Sequence, residues 1–260
     1  MVKVKKIKLC LYNFVILLTL SMLFACSSKK YNNYHTSAVL LNVSDSIPLD
    51  TQIQKFINPY KTHINKDLDS ILAYNPITQD KSKGQWETNI GNFFATTALD
   101  LSRPIFQKRE NKTIDFCMLN HGGIRAIIPA GNVTSRTAYE IMPFENSIMV
   151  VGLTGKEVLE LANYVLIEKK PHPLEGIVIK TNDDYSKVLS IKINNIPLDE
   201  NKIYYVATSD YLANGGDNMI FFKNSALKYD LDYKLRNLFI DYFKKIDTLP
   251  NITTKHVITE

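Results

Sequence analysis

Three short polar segments of the sequence contain the side chains best suited to binding a ligand. They are residues 120–125, 143–146 and 208–217, and together they supply amides, an arginine, a carboxylate and Gly-Gly pairs. Each follows an apolar run with strand character, and α/β proteins tend to place ligands in such loops. Asp217 at the end of the third segment does not belong to an obvious pair of catalytic carboxylates. The segments therefore predict binding chemistry rather than acid–base catalysis.

Each segment also has an ordinary structural explanation. A Gly-Gly pair commonly marks a turn, Phe144 is equally compatible with a core position, and a single arginine such as Arg125 is usually a solvated surface group. Only the occurrence of all three segments in one chain favours a ligand site.

Taken together, the segments resemble the C-terminal domain of the 5'-nucleotidase family, over about residue 50 to the C-terminus. The family pattern Asn-x-Gly-Gly-Ile-Arg is matched by residues 120–125, and Pro-Phe-x-Asn by residues 143–146. The third pattern is an aromatic residue followed by Gly-Gly-Asp, with the acid six positions later, which is matched by Tyr211 and Asp217.

This resemblance implies a role for each matching side chain. Phe144 and Tyr211 would clamp the two faces of a nucleobase, and Asp217 would accept hydrogen bonds from the ribose hydroxyls. Asn120 would address the base edge, and Arg125 would direct its guanidinium to phosphate or nearby sugar oxygens. The substrate-binding residues that the resemblance implies are Asn120, Gly122, Gly123, Arg125, Phe144, Asn146, Tyr211, Gly216 and Asp217.

The sequence departs from the family pattern at one place. Family members often carry a further arginine shortly before the helix that corresponds to residues 89–101, where it meets the phosphate. Here residues 80–87 offer only Lys81 and Lys83, neither in clear register. A phosphate contact from this stretch therefore stays open.

Full-length members of the family also carry an N-terminal metallophosphoesterase domain, whose two metal ions activate water. Such a site needs clustered His and Asp ligands. None of the five histidines of this chain lies in such a cluster, and they are His35, His63, His121, His172 and His256. We therefore expect no catalytic residue, metal or other cofactor in this chain, and expect His121 to line the pocket or face solvent rather than bind a metal.

Three hypotheses about function follow. The first is the nucleotide-recognising half of a split 5'-nucleotidase, completed by a separately encoded metallophosphoesterase chain that holds divalent metal ions. The second is a nucleotide- or nucleoside-binding lipoprotein with no hydrolytic role. The third is a structural lipoprotein that keeps the fold and has lost its ligand.

The N-terminus predicts export. Lysines at positions 3, 5, 6 and 8 precede a twelve-residue apolar run at 14–25, too short for a mature membrane span. Residues 23–26, Leu-Phe-Ala-Cys, resemble a bacterial lipobox. We expect a signal peptide at 1–25, a lipidated Cys26 with a flexible tether at 26–49, and the nucleotide-binding domain at 50–260. The alternative is an ordinary cleaved signal peptide. The predicted location is the cell envelope, on the periplasmic face of the outer membrane.

Composition excludes some other classes. Hydrophobic residues make up 45% of the chain and charged residues 22%, which is globular usage. Without the four N-terminal lysines, the remaining 27 basic residues exceed the 26 acidic residues by one, so charge does not indicate binding to DNA or RNA. Cys117 lies in an apolar run, which predicts a buried structural thiol.

The apolar periodicity predicts alternating helices and strands. Helices are expected over residues 89–101, from Thr154 onward, and over 231–246, since their apolar residues recur every three or four positions. Strands are expected at 114–119, 148–153, 177–180, 188–193 and 203–207, with a hairpin at 182–184. The predicted fold class is α/β (α+β), a mixed β-sheet covered by helices.

Overall fold

The computed structural model describes residues 2–23, 36–45 and 47–260. The helices are α1 (Val2–Leu23), α2 (Thr51–Leu68), α3 (Asn89–Glu110), α4 (Ser135–Ile141), α5 (Gly155–Glu168), α6 (Asp210–Ala213), α7 (Ile220–Lys223) and α8 (Leu235–Lys245). The strands are β1 (Ile71–Asn75), β2 (Phe116–Met118), β3 (Gly131–Thr134), β4 (Ser147–Thr154), β5 (Leu174–Glu175), β6 (Ile177–Thr181), β7 (Val188–Ile193), β8 (Ile196–Pro197), β9 (Ile203–Ser209), β10 (Lys228–Lys234) and β11 (Val257–Thr259). Short 3₁₀ turns occupy His121–Gly123 and Gly216–Asn218.

A five-stranded mixed sheet carries the segments identified in the sequence. Its strand order is β10-β4-β9-β2-β5, with β2 parallel to β9 and the other pairs antiparallel. A second sheet has the order β11-β6-β7-β8, and β1 pairs with β3. The predicted class, a mixed sheet covered by helices, is confirmed.

Helices cover both faces of the five-stranded sheet, and apolar side chains fill both interfaces. Along β2, Cys117 joins the cluster formed with α3 and α8, while Phe116 and Met118 join the cluster formed with α5. Side chains of successive strand residues point to opposite faces, so a strand buried on both faces is apolar throughout. Cys117 is fully buried, as the sequence predicted, and burial raises the pKa of its thiol well above the ordinary range.

Local sequence explains where two of the helices begin. The Thr154 hydroxyl accepts a hydrogen bond from the Glu157 amide, and the Glu157 carboxylate accepts one from the Thr154 amide. This capping box starts α5 at the predicted position. In α3 the Thr88 hydroxyl accepts from the Gly91 amide (3.0 Å), and a left-handed Asn111 ends the helix.

The hairpin expected at residues 182–184 is also confirmed. Strands β6 and β7 pair antiparallel. The Asn182 side-chain oxygen accepts hydrogen bonds from the amides of Ser186 (3.0 Å) and Lys187 (2.9 Å), and this closes the turn.

The prediction that the last long helix starts at Leu231 was wrong. Leu231 lies in β10, which pairs with β4, and α8 begins at Leu235. Leu231 and Leu235 are both buried in the same apolar cluster, so their four-residue spacing mimicked a helix. Pairing with the edge of β4 decided the conformation instead.

The described chain divides into two compact units, residues 1–53 and 54–260. In the first, α1 spans residues 2–23 of the signal segment predicted at 1–25. None of the helices within the described ranges combines the length and apolar character that crossing a bilayer requires. Cys26, the predicted lipidation site, lies outside the described residues, so its lipidation stays a prediction.

Candidate functional site

The three segments meet at one edge of the five-stranded sheet. Because β2 and β9 are parallel neighbours, residues 120–125 and 210–217 both emerge at the same edge. The segment 143–146 was expected to follow a strand, but it follows α4 and precedes β4. Since β4 is antiparallel to β9 and pairs Ile148 with Ser209, its start lies beside the end of β9. Antiparallel pairing therefore brings the second segment to the other two.

The segments enclose a cleft of about 340 Å³. Eight of the nine predicted site residues line it. The side chains and backbone around it belong to Phe94, Leu119, Asn120, Gly122, Gly123, Ile124, Arg125, Met142, Phe144, Asn146, Ser209, Tyr211, Asp217 and Leu235. The ninth predicted residue, Gly216, lies behind the ring of Tyr211.

Two aromatic side chains of the cleft are half-exposed. Phe144 retains 43% of its accessible surface and Tyr211 retains 47%, so neither ring is part of the core. A side chain on Gly216 would put its Cβ 2.4 Å from Cε1 of Tyr211. The Gly216 backbone therefore packs directly on the tyrosine ring, and only glycine permits that contact.

The Asp217 carboxylate joins the first and third segments. Asn120 Nδ2 donates a hydrogen bond to its Oδ2 (2.7 Å), and the Tyr211 hydroxyl donates to its Oδ1 (2.8 Å). The Asp217 amide donates in turn to the Tyr211 hydroxyl oxygen (3.2 Å). An ionised carboxylate offers about four acceptor sites, so two protein donors leave capacity for a ligand. Asn120 was predicted to address the edge of the base, and in the structure its amide nitrogen donates to this carboxylate.

The backbone of Asp217 is held in an unusual conformation. Its φ is 52°, in the left-handed region, and Gly215, two positions earlier, has a φ of 90°. The Tyr164 hydroxyl donates to the Asp217 carbonyl oxygen (2.7 Å) and so stabilises that turn. Burial, followed by the charges of Glu168 and Asp217, raises the pKa of Tyr164 to about 12, so the hydroxyl keeps its proton.

Two cationic side chains lie beside the first segment. Arg125 is exposed, donates from Nη1 to the Gly122 carbonyl (3.2 Å), and has its guanidinium carbon 5.7 Å from the centre of the Phe144 ring. Lys81 Nζ donates to the carbonyl of Ile124 (2.6 Å), the residue before Arg125. Burial, and then the charge of Arg125, lower the pKa of Lys81. Lys81, which was out of clear register in the sequence, thus lies next to the cleft.

The second segment is bonded to the start of α8. The amide of Leu235 donates to the Asn146 carbonyl (2.9 Å), and Lys234 Nζ donates to the Glu145 carbonyl (2.8 Å). Arg236 also reaches this segment, through its guanidinium. No spacing in the sequence links residues 143–146 to α8, and sequence reasoning missed these contacts.

His121 lies beside a second histidine. The His121 amide donates to Nδ1 of His172 (3.4 Å), which is buried, and the His172 ring packs 5.7 Å from that of Tyr164. Burial, followed by the charge of Lys81, lowers the pKa of His121. Within residues 2–23, 36–45 and 47–260, no three His, Cys, Asp or Glu side chains converge as a metal site requires.

Comparison with known proteins gives a family for this architecture. The family model described as 5'-nucleotidase, C-terminal domain, matches residues 70–224. The 5'-nucleotidase of Vibrio parahaemolyticus is 26% identical over 198 residues, which are 73% of this chain and 33% of the relative. A cell wall protein of Listeria monocytogenes is 27% identical over 228 residues, covering 81% of this chain and 28% of the relative.

Solved structures agree on the fold. The 5'-nucleotidase precursor from Thermus thermophilus superposes with a TM-score of 0.67 at 24% identity, covering 82% of this chain and 44% of the other. In each of these comparisons the chain spans less than half of the relative.

The buried His172 predicts a specific dependence of stability on pH. Burial lowers its pKa from 6.5 to about 4. Between these values the unfolded chain binds a proton that the folded chain does not, so stability is fully present above pH 6.5 and falls on acidification towards pH 4. The loss is on the order of 3 kcal/mol. His172→Gln should remove this fall in the free energy of unfolding. Urea unfolding at pH values between 7.5 and 4.5 measures it.

The matched control is His63→Gln, since His63 is an exposed histidine of α2. It should leave the pH dependence of the parent protein unchanged. An equal pH dependence in His172→Gln and the parent would contradict the assignment.

Proposed function

The chain belongs to the 5'-nucleotidase C-terminal domain family, and on that premise we propose that its cleft recognises nucleotides for hydrolysis to nucleoside and phosphate. The observation that carries the proposal is the pair of half-exposed rings, Phe144 and Tyr211, lining one cleft with the carboxylate of Asp217. Exposed rings beside a fixed acceptor suit a ligand that combines a flat base with a hydroxylated sugar.

The rings supply the larger part of the binding. Stacking a base on an aromatic side chain contributes about 1–3 kcal/mol per contact. Gly216 covers one face of Tyr211, so the remaining exposed surface of that ring is the part available to a base. The guanidinium of Arg125 lies near the ring of Phe144, and this cation–π contact contributes to the surface on which a base would stack.

Asp217 supplies sugar recognition. Asn120 and Tyr211 fix both carboxylate oxygens before any ligand arrives, so accepting two ribose hydroxyls requires little reorganisation. The tyrosine hydroxyl gives Tyr211 a second function, because the same residue offers a ring to the base and orients the carboxylate for the sugar.

The phosphate is assigned to the cationic side of the cleft. Arg125 presents an exposed guanidinium whose planar fork suits phosphate oxygens. Lys81 lies close enough to Arg125 that the charge of the arginine helps to lower the pKa of the lysine. We assign Lys81 to the phosphate side of the cleft with Arg125.

Hydrolysis is assigned to a separately encoded metallophosphoesterase chain that holds divalent metal ions. Two stacks and one or two charge-assisted hydrogen bonds supply roughly 4–10 kcal/mol of gross interaction, enough for micromolar to millimolar binding. Phosphomonoester hydrolysis requires acceleration of up to about 10²¹-fold. The cleft residues suit binding and do not suit that chemistry.

Nucleotide binding is the first test. Phe144→Ala and Tyr211→Ala in the purified protein should each weaken AMP and adenosine binding roughly 5- to 150-fold, which corresponds to the loss of one stack. Calorimetry measures the change. Tyr74→Ala, which removes an exposed ring from β1 outside the cleft, is the matched control and should bind as the parent does.

A subtler variant separates the base from the sugar. Tyr211→Phe keeps the ring and removes the hydroxyl, so it should weaken adenosine more than 2',3'-dideoxyadenosine. Absence of nucleoside binding in the parent protein would favour the structural lipoprotein.

Reconstitution is the second test. Mixing the chain with a metallophosphoesterase chain encoded beside it should give metal-dependent release of phosphate from AMP that neither chain gives alone. Asp217→Asn should reduce this turnover, since it weakens sugar recognition. Persistent nucleotide binding without turnover in the mixture would instead identify a receptor.

We also propose that the protein is anchored in the bacterial envelope through Cys26. The basic residues, apolar run and Leu-Phe-Ala-Cys sequence support this location. The Listeria relative is a cell wall protein, which agrees with it. Cells fed radiolabelled palmitate should label the parent and Cys117→Ser but not Cys26→Ser, and the label should fractionate with the outer membrane. Equal labelling of Cys26→Ser would refute the anchor.

A further inference from the structure

Glu145 occupies the variable position of the Pro-Phe-x-Asn segment, directly after the exposed ring of Phe144. Its carboxylate pairs with Nη2 of Arg236, the second residue of α8. The exposure of the two side chains is unequal, since Glu145 keeps 70% of its surface and Arg236 keeps 7%. A buried guanidinium therefore reaches out of α8 to a loop carboxylate.

Arg236 also holds the backbone on the other side of Phe144. Its Nη1 donates to the carbonyls of Pro143 (3.2 Å) and Met142 (3.5 Å), and its guanidinium carbon lies 4.2 Å from the ring centre of Tyr139. One side chain thus connects α4, the loop and α8.

These contacts flank Phe144 in sequence. Arg236 engages the carbonyls of the two preceding residues and the carboxylate of the following one. The ring of Phe144 is 43% exposed, so packing alone does little to fix its position. The ring direction then depends on the backbone to which it is attached.

We propose that Glu145 and Arg236 are positioning residues. They hold the Phe144 loop in the conformation that leaves the Phe144 ring exposed, and so preform one stacking surface of the cleft. The inference deepens the proposed function, since the importance of the ring rests on nucleotide binding. Burying a guanidinium is costly unless it is paired and hydrogen-bonded. The carboxylate and the two carbonyls supply partners for Nη2 and Nη1 only while the loop keeps this conformation, and this couples the loop to α8. The buried Nε of Arg236 has no hydrogen-bond partner among the described residues.

Release of the Phe144 loop should weaken AMP binding by a measurable amount. When a binding-competent conformation is populated by only a fraction of molecules, the apparent affinity falls by that fraction. A released loop that keeps the ring in place in about 10–30% of molecules would weaken AMP binding about 3- to 10-fold. The Phe144 ring itself remains present, so the loss should be smaller than in Phe144→Ala.

The test uses Glu145→Ala in the full-length protein purified in detergent. Glu145 is exposed, so this variant should fold, and it should bind AMP about 3- to 10-fold more weakly than the parent. Glu160→Ala, an exposed glutamate of α5, is the matched control and should bind as the parent does. Unchanged binding in Glu145→Ala would overturn the proposal.

A second readout separates positioning from stability and needs no ligand. In a Phe144→Trp background, acrylamide quenching reports the mobility and exposure of residue 144, because the natural tryptophan, Trp86, is buried. Adding Glu145→Ala, or the conservative Arg236→Lys that removes the planar fork, should change the quenching, whereas Glu160→Ala should not. The Glu145→Ala and Arg236→Lys effects should also be non-additive when combined.

The outcomes distinguish the positioning role of Glu145 and Arg236 from nucleotide binding by the cleft. If the parent binds no nucleotide but the quenching changes as expected, positioning stands and the proposed function fails. If AMP binds and the quenching is the same in all variants, the proposed function stands and Glu145 and Arg236 have no positioning role.

Discussion

The hydrogen bond from Asn120 to Asp217 connects residues that lie 97 positions apart in the chain, and the candidate site depends on it. It exists because β2 and β9 are parallel neighbours, so the loops that follow them emerge at one edge of the sheet. The hydroxyl of Tyr211 occupies the other oxygen of the same carboxylate. One acid therefore fixes an amide from the first loop and an aromatic ring from the third, before any ligand is present.

The cleft keeps aromatic surface exposed by fixing the backbone beneath it. Gly216 packs on the ring of Tyr211, and the Tyr164 hydroxyl donates a hydrogen bond to the carbonyl of the left-handed Asp217. Residues at the start of α8 bond the loop that carries Phe144. Apolar surface left in water is costly, and these contacts hold the backbone of the residues that carry the exposed rings. This arrangement suits a ligand that inserts a flat ring.

Recognition and bond cleavage make different demands on a protein. Stacking and charge-assisted hydrogen bonds need only a few well-placed groups, and the loops at one sheet edge provide them. Phosphate ester hydrolysis needs groups that stabilise charge in the transition state. Under the proposed function this chain contributes the first set and a separate chain contributes the second. This chain spans less than half of the length of the Vibrio and Thermus relatives.

The sequence alone determined the elements whose causes are local. Thr154 and Glu157 predicted the start of α5, and the Asn182 turn predicted the hairpin, because the bonds involved join residues at most five positions apart. The matched segments also supplied eight of the residues that line the cleft. Only the tertiary structure decided that Leu231 belongs to a strand, that Lys81 lies beside Arg125, and that Arg236 engages the loop before β4. These outcomes rest on contacts between residues distant in sequence, which leave no periodic pattern along the chain because they form only when the sheet brings separate elements together.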